Sequence, residues 1–101
     1  MEYTIAGDLA TVTLRGEFTF TDHQAFRKLA ERLFASGASS HAVVFELEHV
    51  TFIDSAGLGM LLIARDEALK KNRRLVLKGA TGQVKKMFDV SRFETLFALE
   101  T

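Results

Sequence analysis

The chain contains no cysteine and no proline, its charges cancel, and it has no long apolar run. Without cysteine there is no disulfide framework, no thiolate nucleophile and no Cys-based zinc site, an absence compatible with a reducing compartment. Without proline, and without a Gly/Ser-rich stretch, nothing marks a linker, so the 101 residues are expected to form a single domain over 1–101. Lys+Arg and Asp+Glu both number 13, which speaks against a nucleic-acid binder working by bulk charge, since phosphate neutralisation needs a basic excess. The longest apolar stretch, Met60 to Ala64, is far too short to span a bilayer. The start, Met1-Glu2-Tyr3-Thr4-Ile5, lacks the basic and apolar regions of a secretory signal, so no membrane or export role is expected. What the chain does have is 48% hydrophobic and 26% charged residues, the balance of a soluble globular domain large enough for one core without staples.

The periodicities alternate between two and 3.6. Tyr3 and Ile5 alternate with polar neighbours, Gly7-Asp8 offers a turn, and Val12 and Leu14 mark the buried side of a second strand ending at Arg15-Gly16-Glu17, which together predict a hairpin. Thr21 and Gln24 have capping-box spacing and predict the start of a helix. Its apolar face would be Phe26, Leu29, Ala30, Leu33 and Phe34, with Gly37 as the stop. Ala42 to Phe45 with Leu47 reads as a strand buried on both faces, with Glu46 and Glu48 near its exit. Val50 to Ile53 leads into a second helix from about Ala56 to Lys71, closed by Asn72-Arg73. Leu75-Val76-Leu77 is a strand, Gly79 to Gly82 a loop, and Val84, Met87 and Phe88 the apolar face of a third helix. Asp89 to Arg92 interrupts it, Phe93, Leu96 and Phe97 suit a short helical turn, and Phe97-Ala98-Leu99 ends the chain as a strand. The order β-β-α-β-α-β-α-β implies an α/β domain: a mixed sheet of about four to five strands with crossover helices packed mainly on one face.

Motifs for chemistry are scarce. No phosphate-binding loop of the G-x-x-x-x-G-K-S/T type is present, Gly57 and Gly59 do not complete a dinucleotide fingerprint, and no G-x-S-x-G surrounds Ser55. His23, His41 and His49 show no metal-ligand spacing. The expectation is therefore a non-enzyme without metal or cofactor. An esterase using Ser55, and a small-ligand or nucleotide sensor using a cleft near Phe18, Phe20 and Ser55, remain as alternatives.

Asp54-Ser55 follows a strand and opens the second helix. In the plain reading one of the two is an N-cap. In the functional reading, a hydroxyl among unpaired N–H donors at the positive end of a helix can carry a phosphate without unfolding the domain. That phosphate adds about −1.5 to −2 charges beside Asp54, enough to repel a docked surface. On the second helix, Gly57, Leu61, Ala64 and Ala68 form one stripe, with Leu58, Leu62 and Leu69 alongside. Met60 and Ile63 lie off it, so the first turns are apolar nearly all round. Either the third helix or a loop covers Met60 and Ile63, or they form an exposed docking patch rimmed by Asp66, Glu67 and Lys70 that could also drive weak self-association. Gly57 and Gly59 would admit a partner's backbone.

Val50-Thr51-Phe52-Ile53-Asp54-Ser55-Ala56-Gly57-Leu58-Gly59 closely resembles the signature of the STAS domain, in particular of bacterial anti-sigma factor antagonists. Arg15-Gly16-Glu17, Leu75-Val76-Leu77 and Val84-Lys85-Lys86-Met87-Phe88 to Phe97 extend the resemblance over nearly the whole chain. The resemblance implies a STAS-like fold, with Ser55 as the phosphoacceptor of a cytoplasmic partner switch. Unphosphorylated, the domain would bind an anti-sigma factor, often itself a serine kinase, and release the sigma factor. Phosphorylated, it would let go until a PP2C-type phosphatase restored it. ATP would belong to the kinase. The implied docking residues are Asp54, Ser55, Ala56, Gly57, Leu58, Gly59, Met60 and Ile63, with Phe20 and Asp22, on a monomer or weak dimer. Two departures border that face: Gly16-Glu17-Phe18-Thr19-Phe20 stands where many antagonists have Gly-Glu-Leu-Asp, and Glu46-Leu47-Glu48-His49 replaces the common Asp-Leu. The Phe-rich exit and Phe26-Arg27 resemble stand-alone members linked to response-regulator phosphatases, so a non-sigma target such as a cyclic-di-GMP enzyme is the alternative.

Overall fold

Strands β1 (Glu2–Ala6), β2 (Thr11–Phe18), β3 (Ala42–Ile53), β4 (Arg74–Lys78) and β5 (Ala98–Glu100) pair in chain order into one sheet. Helices α1 (His23–Leu33), α2 (Ser55–Lys70) and α3 (Gly82–Val90) connect its last four strands. The computed structural model describes residues 1–6, 11–35 and 42–101; the Gly7-Asp8 turn, Leu9, Ala10, the Gly37 stop and His41 fall outside them. β1 and β2 are antiparallel, and every later pair is parallel. Each strand-helix-strand step advances one strand in the same direction. With the usual right-handed crossover, all three helices then land on one face.

Burial follows that geometry. Val12, Phe45 and Leu77 are aligned across β2, β3 and β4, as are Val43 and Leu75 across β3 and β4, and all five belong to the core. The opposite face carries Thr11, Val44, Val76 and Ala98 in one row and Thr13, Glu46, Lys78 and Glu100 in the next. With that crossover hand, no helix among the described residues covers that face. This corrects the expectation that β3 is buried on both sides: Val43, Phe45 and Leu47 are buried while Ala42, Val44 and Glu46 between them are only half-buried. β3 is also longer than its composition suggests, because two register shifts against β2 carry it through Glu48 and His49 to Ile53.

The first helix starts one residue later than its capping pattern implies. Thr19-Phe20-Thr21-Asp22 offers the same spacing as Thr21 to Gln24, and the earlier one forms: Phe20–Asp22 is a 3-10 turn in which Asp22 Oδ2 accepts from the Thr19 N–H at 2.9 Å. α1 then buries Phe26, Leu29, Ala30 and Leu33, with Phe34 buried just past its end. There the Arg73 guanidinium donates to the Leu33 carbonyl and lies 5.3 Å over the Phe34 ring. Arg73, which the sequence places at the close of the second helix, is buried at the negative end of the first. Burial lowers its pKa from the ordinary guanidinium value. Beyond α3, Phe88, Phe93 and Phe97 stack with centroids 5.0 and 4.9 Å apart and seat the final strand.

Candidate functional site

The turns leaving β2, β3 and β4 share the C-terminal edge of the parallel strands, where functional groups of α/β folds collect. One residue, Asp54, separates Ile53 at the end of β3 from Ser55 at the start of α2. Its extended backbone makes it the N-cap, and both carboxylate oxygens are engaged. Oδ1 accepts from the Gly57 N–H at 2.7 Å, and Oδ2 accepts from the Phe20 N–H at 3.1 Å. The Asp54 N–H donates to the Phe18 carbonyl at 3.4 Å. On the other side the Gln83 side chain brackets Ile53, accepting from its N–H at 2.9 Å and donating to its carbonyl at 2.8 Å. The peptide entering α2 is therefore held from both neighbouring turns.

Ser55 is the first residue of α2 and is exposed; its hydroxyl makes no hydrogen bond among the described residues. The N–H groups of Ser55 and Ala56 have no carbonyl within the helix to bond, as at any helix start. Gly59 and Ile63 follow at four-residue steps on the same side of α2, with open space around the Gly59 Cα and Ile63 58% exposed. Phe20, tethered through Asp54, is 71% exposed. The structure thus brings Phe20, Asp54, Ser55, Ala56, Gly59 and Ile63 onto one accessible face.

Four residues expected in the docking set lie inside instead. Gly57 is a glycine because a Cβ there would sit 2.6 Å from both Ile53 Cγ1 and the Phe18 carbonyl oxygen; it seats the helix on the sheet and faces no partner. Leu58 belongs to the core. Met60, 4% exposed, lines a groove together with Phe26, Ala30 and Phe34 at α1, and so leaves Ile63 alone of the patch proposed for self-association. Asp22 is buried, its Oδ1 2.8 Å from the Met1 amino group. Sequence reasoning missed Gln83, whose role depends on a strand 30 residues away, and Phe52, which the β3 irregularity leaves 40% exposed.

Phe18 is buried, and the groove of about 590 Å³ lies between α1 and α2, lined by Phe26, Ala30, Met60 and Ile63 among others but by neither Phe20 nor Ser55. His23 and His49 make no hydrogen bond to Ser55, so among the described residues no base is paired with that hydroxyl. No helix among the described residues is long and apolar enough to cross a membrane.

Comparison with known proteins agrees with this arrangement. The family model described as "Mlab, STAS domain" matches residues 1–100, and the chain belongs to the STAS-domain family. A STAS-domain containing protein of Pseudomonas aeruginosa (strain UCBPP-PA14) is 36% identical over 93 residues, covering 92% of this chain and 89% of that one. Among solved structures, a proposed anti-sigma factor antagonist from Thermotoga maritima superposes with a TM-score of 0.80 at 17% identity, over 99% of this chain and 85% of its own. The Bacillus cell fate determinant SpoIIAA, an anti-sigma factor antagonist, matches in its phosphorylated form with a TM-score of 0.70 at 22% identity, over 99% and 90% of the two chains. These likenesses are in fold: a five-stranded mixed sheet with three helices.

Proposed function

We propose that this domain is an anti-sigma factor antagonist working by a phosphorylation-controlled partner switch at Ser55. The observation that carries the reading is an exposed serine hydroxyl at the first position of α2, on the same face as Phe20 and Ile63. The fold is shared with an antagonist whose phosphorylated form has been solved, which supports it. In the unphosphorylated state Phe20, Gly59 and Ile63 pack against an anti-sigma factor in the cytoplasm and free the sigma factor. A serine kinase, the anti-sigma factor itself or a companion, transfers the γ-phosphoryl group of ATP to Ser55 Oγ and keeps the ADP. A PP2C-type phosphatase hydrolyses the ester and returns the hydroxyl. The domain contributes no catalytic group; it offers a hydroxyl and reads out its charge.

Energetics favour a change in binding over a change in fold. The phosphate sits where the helix dipole and free N–H groups stabilise it, so the domain tolerates it. A partner closing over the same spot must strip water from two negative groups, Asp54 and the phosphate. Pull-down with the cognate anti-sigma factor tests the switch. Ser55→Asp should bind at least about tenfold more weakly than Ser55→Ala. Equal binding by the two folded variants would defeat the reading.

A further inference from the structure

Phe20 combines two properties that seldom coincide: its side chain is 71% exposed, yet its backbone is pinned. Its N–H bonds to Asp54, and the turn it opens is closed by the Asp22 N–H donating to the Thr19 carbonyl at 2.9 Å and by the Thr19 N–H donating to Asp22 Oδ2. An aromatic ring on a held turn loses little conformational freedom when a partner buries it, which is the character of an interface anchor. The pin is shared, because the other oxygen of the Asp54 carboxylate caps α2 through the Gly57 N–H.

We propose that Asp54 is a positioning residue that couples charge on Ser55 to the placement of Phe20, so that phosphorylation withdraws the anchor of the docking face as well as adding charge to it. This rests on the partner switch above and names how that switch is transmitted. A phosphoryl group on Ser55 brings about −1.5 to −2 charges to the residue next to the Asp54 carboxylate. It competes for the same N–H donors at the helix start, Gly57 included, and repels the carboxylate that now holds one of them. When Asp54 is displaced, the Phe20 N–H loses its acceptor. The grip of Asp22 is on Thr19, so the rest of the turn stays in place and the release is confined to the aromatic end.

The asparagine substitution separates the two jobs of Asp54. In Asp54→Asn the amide oxygen still caps α2, since Asn caps as well as Asp, but the amide nitrogen cannot accept from the Phe20 N–H. Amide exchange by nuclear magnetic resonance on the full chain is the experiment, with phosphoserine installed at position 55 by genetic-code expansion. In the otherwise unaltered protein, phosphoserine should speed exchange of the Phe20 N–H about tenfold while the Phe45 N–H in mid-β3 is unchanged. Asp54→Asn should speed Phe20 exchange without phosphate, and phosphoserine should then add nothing. An unchanged Phe20 rate on phosphorylation, or the same increment in both backgrounds, overturns the coupling. These measurements need no partner. Failure of the unmodified domain to capture any anti-sigma factor would therefore sink the proposed function while the exchange rates still decided the coupling. If capture occurs, Asp54→Asn with an unmodified serine should capture about tenfold less, and undiminished capture would overturn the anchor role of Phe20.

Discussion

At two of its three exits along the same edge of the sheet, the chain leaves a parallel strand for a helix in two different ways. Between β3 and α2 one residue makes the turn, its carboxylate bonded to two backbone N–H groups, and Gly57 is pressed against Ile53 and Phe18. Between β4 and α3 three residues make it, the N-cap Thr81 forms no side-chain cap bond, and Gly82 faces open space. Topology is the same at both junctions, so it does not explain the difference. The tight junction is the one that presents an exposed serine.

Substitutions can break this comparison. The largest effect is expected at Gly57→Ala, whose Cβ meets a backbone oxygen that cannot move aside; urea unfolding should show a loss of about 2 kcal/mol or more despite the better helix propensity of alanine. Asp54→Ala should cost about 1.5 kcal/mol, since cap and tether go together, whereas Thr81→Ala should change stability by less than about 0.5 kcal/mol. A similar loss in both would erase the contrast between the junctions. Gln83→Ala should cost about 1 kcal/mol and, uniquely among these, should raise exchange at the Ile53 N–H. The smallest effect carries the opposite sign: Gly59→Ala, two residues from Gly57 but with room for a methyl group, should raise thermal stability by about 0.5 kcal/mol.

How far such details could be read in advance depended on whether one element or several decide them. The face of α1 was legible because its apolar positions fall on one side of the helix, and all five residues of its pattern are buried. The face of α2 was not, because α2 packs on the sheet with one side and on α1 with another, and periodicity does not say which neighbour covers Met60. The cap at Asp54 is a local pattern and could be anticipated, but its second bond reaches Phe20, 34 residues away, and the Gln83 bracket on Ile53 spans 30. β3 was cut short on paper because its two register shifts against β2 break the alternation that identifies a strand. The burial of Arg73 was not legible, because nothing in its neighbourhood of charges announces the Leu33 carbonyl it serves.

The straight strand order has one more consequence. Where the order of a parallel sheet reverses, helices on opposite sides part and open a mouth in which small molecules lodge. This sheet never reverses, so among the described residues its strand order makes no such mouth beneath Ser55. In the proposed switch the message is written on the rim of this edge, as a covalent mark.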